Sequence, residues 1–564
     1  MLSKFPFHSI FSKNLEWLEQ KQSNILSAAV IITVANIISS VSGLIRQRLL
    51  LSHFFDTDAS QKAYEAFQIA FQIPDMLFQL VVIGALSAAF IPLFAKLRKE
   101  DEKLAFEMSS VILNIILLIF IVLGVIIFIA SPFISNYRTG DQFTPEQVEI
   151  VTRMTRIMLV GQLFFAISSV FGAVLQSYQR FIIPSIAPII YNLGIVLGTY
   201  LFSERFGIYS AGIGVVIGAF LHMIIQLPSI LRLGFKFKLS FNINVPGVKQ
   251  LFRLIPPRVL TIGVNEFQNL SLGFFATSLG NLSFVVIKLA LSLMTIPIRL
   301  FGVPIGQASL PFLSEESHER DLQHFKRLLL QSINQIAFLA FPASVLLLIL
   351  RIPIVRLVFG TANFPWDKTL MTGRAVAIIS ISVAAQAMVQ ILVRAFYALR
   401  DTRTPFYITL ITVFIYLVGS ALVVFYTPWG IYGLAMMTSI AAIFELLLSL
   451  GYLHKKIGGF LTSEFWIPQA KMLLASFLMA VFLYLPFRIF DELIFDTTRI
   501  IELIGLTITT GTIGVVVYLY FATLFEIKEL EVFKNLIFSF TSSQRNLSKS
   551  PEVVVETPGE NTQV

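Results

Sequence analysis

Apolar residues in this chain gather into fourteen runs, near 26–51, 63–97, 105–133, 150–177, 183–203, 208–233, 249–278, 283–313, 325–359, 370–398, 405–426, 429–453, 466–488 and 499–525. About twenty consecutive apolar residues are enough to cross a bilayer as a helix. The pattern therefore predicts an all-α polytopic membrane protein with about fourteen transmembrane helices. The second run is longer than one crossing and contains Pro74 and Pro92. Each proline lacks an amide donor and crowds the preceding turn, so this span is expected to be bent or broken. One of its faces is polar: Glu65, Gln68, Gln72, Asp75 and Gln79 recur at three- and four-residue steps. Acids and amides inside a membrane turn toward a bundle interior or a water-filled cavity rather than toward lipid.

Three further runs carry such stripes. Asn36, Ser40, Gly43 and Arg46 share a face in the first, with Gln47 and Arg48 just beyond. Arg258, Thr261, Asn265 and Gln268 do so in the seventh, with Glu266 and Asn269 alongside, and Lys288, Ser292, Thr295 and Arg299 in the eighth. Hydrogen bonding between helices accounts for Ser, Thr and Asn in such places. It accounts less well for the cations, since a charge near the bilayer centre costs roughly 2.5–3.5 kcal/mol even on permissive scales. Arg48 and Arg299 lie near span ends, where long side chains can reach the interface. The stripes together predict one shared cavity lined by Arg46, Arg48, Glu65, Gln68, Gln72, Arg258, Asn265, Glu266, Lys288 and Arg299. Its cations outnumber its acids. A guanidinium offers phosphate two parallel donors, so the expected ligand is anionic, with phosphate the natural group. Glu65 is expected to pair with a cavity cation when the site is empty. Prolines in spans 2, 5, 7, 8 and 9 supply break points for helices that bend or rock.

A weak internal repeat accompanies the stripes. Ile73-Pro74, Ile83-Gly84 and Pro92 are echoed by Ile296-Pro297, Ile305-Gly306 and Pro311. Tyr178, Arg180 and Pro184 are echoed by Tyr397, Arg400 and Pro405. The offset is six spans, an even number, so the copies share one orientation: a parallel repeat about an axis along the membrane normal. The expected organisation is an interfacial segment at 1–25, a six-helix half at 26–235, a second at 236–458, two extra helices at 459–526 and a tail at 527–564.

Composition agrees with this class. Of 564 residues, 56% are hydrophobic and 13% charged, and the mean hydropathy of +0.80 excludes an ordinary soluble domain. The net charge of +9 sits in loops between apolar runs rather than in a patch, which argues for topology and lipid headgroups and against nucleic acid. Lys96, Arg98, Lys99 and Lys103 follow run 2, and basic residues also follow runs 4, 6, 8, 10 and 12, while the loops after runs 7 and 11 have none. The positive-inside rule then puts both termini in the cytoplasm. Phe7, Phe11, Leu15 and Leu18 beside Lys4, Lys13 and Lys21 suggest a short interfacial helix. The tail from Ser542 to Val564 is polar and expected to be disordered. No cleavable signal is visible, and without cysteine there is neither a disulfide nor a thiolate metal site.

The stretches SGLIRQRLL at 42–50, AYEAFQIAFQIPDML at 63–77, GALSAAFIPLFAKL at 84–97, QRFIIPSIAP at 179–188, IPPRVLTIGVNEFQNL at 255–270 and IPIRLFGVPIGQASLPFLSEES at 296–317 resemble the MurJ-type (MviN) lipid II flippases of the multidrug/oligosaccharidyl-lipid/polysaccharide exporter superfamily. The resemblance runs from about Asn36 to Glu526. It implies two six-helix halves plus two C-terminal helices, in the cytoplasmic membrane of a bacterium. It also implies alternating-access transport of a lipid-linked disaccharide-pyrophosphate from the inner to the outer leaflet, with the lipid tail near the last two helices. Arg46 matches a family cavity arginine and Glu65 a family acid, whereas Ser40, Phe78 and Ser292 stand where known members carry arginine. The partners it implies are the substrate and membrane lipids, with a monomeric chain. No cofactor or metal is implied, and the drive is a membrane potential or an ion gradient. Two alternatives stand beside it. One is export of another lipid-linked oligosaccharide or polysaccharide unit. The other is a membrane glycosyltransferase using Asp56 and Asp58, although a turn or helix cap, where Asp is favoured, is the preferred explanation of that pair.

Overall fold

The computed structural model describes residues 25–86, 90–319, 322–497 and 499–534. The expected interfacial helix before Asn24 and the tail beyond Ser542 lie outside them. The described residues form helices and their connections, with no strand among them. In order these are α1 (Ile25–Phe54), α2 (Asp58–Ala70), α3 (Gln72–Phe78), α4 (Phe90–Glu100), α5 (Glu102–Arg138), α6 (Pro145–Ser177), α7 (Ile182–Phe206), α8 (Tyr209–Ile224), α9 (Leu227–Arg232), α10 (Val248–Ser278), α11 (Ser283–Pro297), α12 (Val303–Glu319), α13 (Leu322–Ile349), α14 (Arg351–Phe359), α15 (Trp366–Ser380), α16 (Val383–Ala398), α17 (Arg403–Tyr426), α18 (Gly430–Lys456), α19 (Ser463–Ile489) and α20 (Ile500–Leu524).

Among the described residues, every predicted run falls mainly on helix. Among these residues, ten helical stretches are long and apolar enough to cross a membrane, or eleven if the bent pair α15–α16 is one span. The remaining predicted runs are α1, the broken stack from Asp58 to Glu100, and α10. All three carry polar stripes.

Local signals in the connections start the helices. Thr57 caps α2 in a reciprocal box with Ser60, and Thr144 caps α6 with Gln147 while Pro145 takes the first turn. Asp101 accepts the amides of Lys103 and Leu104 to start α5. Pro74 breaks the second span as expected. It removes the donor that the Ala70 carbonyl would use, and the Thr155 hydroxyl of α6 donates to that carbonyl at 3.3 Å instead. One π-helical turn, Gln79–Ile83, follows in the second span, and another, Ile298–Gly302, follows Pro297 in the eighth. The repeat is also visible in the turns after α6 and α16. Gln179 (φ 60°) and Arg400 (φ 55°) adopt the same left-handed conformation. The amides of Arg180 and Asp401 reach back to the carbonyls of Leu175 and Phe396 alike. This pairs Arg180 with Asp401, one position away from the sequence echo.

Three apolar cores hold the helices. One lies where the first half meets α10 near Arg98 and the other basic loops, and includes Phe94, Phe106, Phe171 and Leu251. A second joins α12, α13, α16 and α18 to α19 and α20 through Phe325, Met388, Met472 and Tyr518. The third is shared: Phe55, Tyr64 and Phe143 pack with Leu282, Phe284, Phe359 and Phe364 at the end opposite the basic loops. The two halves thus share one core at that far end, while at the basic end the first half packs with α10 and the later helices pack with α19 and α20. Within the first half α7 and α8 approach most closely, because Gly194 and Gly198 lie against Gly218 and Gly214. α6 is central, with 61% of its apolar window buried, against 22% for α19 and α20 at the rim.

Candidate functional cavity

A cavity of about 290 Å³ lies between α1, the second span, α6, α7 and α11. Its polar wall is Arg46, Gln47, Gln68, Gln72, Asp75, Gln162 and Lys288. Arg46 points in from α1 and donates from Nη1 to Asn192 Oδ1 of α7 at 3.0 Å. Asn192 is itself fixed, since its Nδ2 donates to Ser42 Oγ at 2.9 Å. Arg46 Nε is buried and has no partner among the described residues, so a strong donor stays unused beside the cavity. Lys288 is deep in the bundle yet open to the cavity space, and lies in the field of Asp75, Glu266 and Arg46. Two cations thus meet one wall carboxylate, an arrangement that favours an anionic guest.

The amides set the wall. Gln68 Nε2 donates to the Tyr64 hydroxyl at 2.8 Å. Gln72 Nε2 reaches the Asn269 carbonyl of α10 at 2.8 Å, while its Oε1 accepts from Arg138. Arg138 also donates to the Ile69 carbonyl at 2.9 Å, beside the break in the second span. This chain of bonds ties α5 through α3 to α10.

Of the residues expected from sequence, Arg46, Gln68, Gln72 and Lys288 come together here. The others lie elsewhere. Glu65 does not pair with a cation of this cavity. It is buried in the seal, where its Oε1 accepts the Phe284 amide of α11 at 3.1 Å and Lys368 is its charged neighbour. It borders a separate space of about 370 Å³ at the far end, with Lys62, Asn281 and Lys368. Arg48 donates to the Leu357 carbonyl of α14 and bridges the halves. Arg258, Asn265 and Arg299 are exposed on their helices outside this wall. Arg299 shares the face of Lys288, but eleven residues place it about 16 Å further along the axis. Glu266 stands behind the wall, close enough for its charge to act on Lys288. Asn192, Gln162, Tyr191 and Arg138 belong to the site or its support and had no periodic signal. Gln162 and the Tyr191-Asn192 pair stand in otherwise apolar stretches, and Arg138 lies in the polar connection at the end of α5.

Asp56 and Asp58 serve the turn before α2. Asp56 accepts the Ser60 hydroxyl at 2.6 Å, and this bond holds its carboxyl below the usual range. Asp58 is the first residue of the helix. No group of His, Cys, Asp or Glu that could hold a metal occurs among the described residues.

The fold matches a solved structure described as lipid II flippase MurJ in an inward closed conformation, with a TM-score of 0.72 and 23% identity over 90% of this chain and all of that one. It also matches an inward-facing multidrug resistance MATE family transporter of the MOP superfamily, with a TM-score of 0.59 and 13% identity over 76% of this chain and 98% of the other. The class is therefore a multi-span helical membrane fold of the kind those structures share. A family model described as lipid II flippase MurJ matches residues 59–502, and the chain belongs to that family. Among its relatives, a probable lipid II flippase MurJ of Bdellovibrio bacteriovorus is 26% identical over 87% of this chain and 93% of its own length. The lipid II flippase MurJ of Burkholderia cenocepacia is 26% identical over 68% of this chain and 75% of its own.

Proposed function

We propose that this protein moves lipid II, a lipid-linked disaccharide-pyrophosphate, from the inner to the outer leaflet of the bacterial cytoplasmic membrane by alternating access. The observation that carries the reading is the convergence of Arg46 and Lys288 on one cavity walled from both halves. Arg46 supplies a guanidinium held by Asn192 with Nε to spare, the donor geometry that suits pyrophosphate. Lys288 adds a point charge from the other half. The basic loops put both termini in the cytoplasm, so the shared core is the outer seal. Loading from inside is followed by a rocking of the halves that parts that core. The chain acts as a transporter and not as an enzyme, the first-loop acids being turn residues.

The test is complementation of a flippase-depleted bacterium, with lipid-linked cell-wall precursor measured at the same time. The wild-type chain should restore growth and clear the accumulated precursor. Arg46→Ala should weaken substrate affinity about ten- to a hundredfold, since a hydrogen bond to a charged group contributes roughly 1.5–3 kcal/mol. Arg46→Lys keeps the charge without the fork and should lose less. Normal function of Arg46→Ala, Lys288→Ala and the double variant at normal expression would remove the phosphate site. Growth without precursor clearance would point to another lipid-linked oligosaccharide.

A further inference from the structure

The connection between α9 and α10 is neither loop-like in composition nor helical. It reads GFKFKLSFNINVPG at 234–247, alternating apolar and polar positions with the period of an extended chain. Its two ends are fixed. Gly234 (φ +85°) and Gly247 (φ +88°) take a backbone conformation that residues with a Cβ rarely adopt. Next to them Phe235 and Val245 are each only 5% exposed and belong to the core of the first half. In the middle, Asn114 of α5 donates from Nδ2 to the carbonyls of Lys238 at 2.8 Å and Ser240 at 2.9 Å. The segment is therefore a pinned arch.

What the arch presents is unusual. Phe237, Leu239, Phe241 and Ile243 are 55%, 77%, 49% and 51% exposed. Lys236 and Lys238 are exposed between them. Arg232 precedes the arch, Lys249 and Arg253 follow it, and no Asp or Glu occurs between Glu204 and Glu266. A backbone outside helix or sheet cannot face the hydrocarbon core, because its amides and carbonyls need water or partners. Four large apolar side chains are equally out of place in water. The one environment that satisfies both is the headgroup boundary, where apolar groups dip into the acyl region and lysines remain among the phosphates.

We infer that this arch is a docking surface for anionic lipid headgroups: Phe237, Leu239, Phe241 and Ile243 insert shallowly while Lys236 and Lys238 bind lipid phosphate. Charge complementarity selects the occupant, since Arg232, Lys236, Lys238, Lys249 and Arg253, in a stretch without an acid between Glu204 and Glu266, suit an anionic bilayer surface and repel a second copy of the same face. The arch connects the two halves of the transporter, so its lipid contacts fix the joint about which they move.

The chain contains no cysteine, which permits single-site labelling of the full-length protein. Leu239→Cys, and separately Asn242→Cys, are labelled with an environment-sensitive fluorophore. Each is reconstituted into vesicles of phosphatidylcholine alone or with phosphatidylglycerol, and quenching is measured with lipids carrying a shallow nitroxide. The label at Leu239 should be blue-shifted and strongly quenched, and the label at Asn242 much less so. Quenching at Leu239 should rise with phosphatidylglycerol. Lys236→Ser with Lys238→Ser, both on exposed residues, should raise the anionic fraction needed for half-maximal quenching several-fold. Equal quenching with and without phosphatidylglycerol, or unchanged behaviour after loss of both lysines, overturns the anionic recognition. A blue-shifted but unquenched label overturns the lipid occupant in favour of a protein one. An unshifted, unquenched label leaves the arch in water and ends the proposal.

Discussion

Arg46 and Arg48 are two residues apart on one helix and do different work. Arg46 turns to Asn192 and the cavity. Arg48 turns to the Leu357 carbonyl in the later half. Glu65 and Gln68, three residues apart on a single polar face, are divided by the seal: Gln68 lines the cavity and Glu65 the far-end space. Periodicity reports the angle of a residue about its helix axis and nothing about its level along that axis or the position of the seal. This is why the polar stripes were legible and the membership of the cavity was only half so. Asn192 was invisible because one polar residue has no period. The Glu65–Phe284 bond carries its own prediction. Glu65→Ala removes a buried acceptor and leaves an amide unsatisfied, weakening the sealed state by about 1–3 kcal/mol. In the cysteine-free background, a Leu282→Cys reporter should react faster with a membrane-impermeant maleimide added from the far side. Glu65→Gln keeps an acceptor oxygen and should fall between. Equal labelling rates in all three would show that the bond does not hold the seal.

At the scale of helices, pattern and structure agree for a physical reason. Apolar runs bounded by Thr57, Asp101 and Thr144 carry their own start signals, so the lipid solvent and local capping point the same way. The break in the second span was legible from Pro74. The π turns that follow it and Pro297 were not, because they arise from packing and leave no residue signature. The close approach of α7 and α8 yields a prediction. A side chain on Gly194 would run into the Gly218 backbone, which cannot move aside without carrying its helix along. Gly194→Leu should therefore cost about 1–3 kcal/mol as an overpacked contact. It should lower the thermal midpoint of the purified, detergent-solubilised protein by several degrees. The same change at Gly124, where a Cβ would meet nothing within 4 Å, should leave the midpoint near that of the parent.

For the whole molecule, sidedness rests on charge. Reporter fusions at Ser463 should read cytoplasmic and fusions at Asp491 should read external, since α19 lies between them. Both on one side would mean that α19 does not cross, and the paired-termini topology would fall with it. The order of helices was legible throughout. The division of the apolar interior into three cores was not, because it depends on which conformational state the halves occupy.

That division reverses a common expectation about where a protein tolerates change. Surface connections ordinarily drift in length and composition while helices stay fixed. Here Phe55, Phe143 and Phe364 come from three far-end connections and are parts of the shared core. Those turns are stoppers rather than tethers. Lengthening one by a few residues would withdraw its phenylalanine from the seal and leave a leak on the side where the bilayer's charge gradient is held. Natural variation, epitope tags and fused domains therefore have very little room around residues 55, 143 and 364.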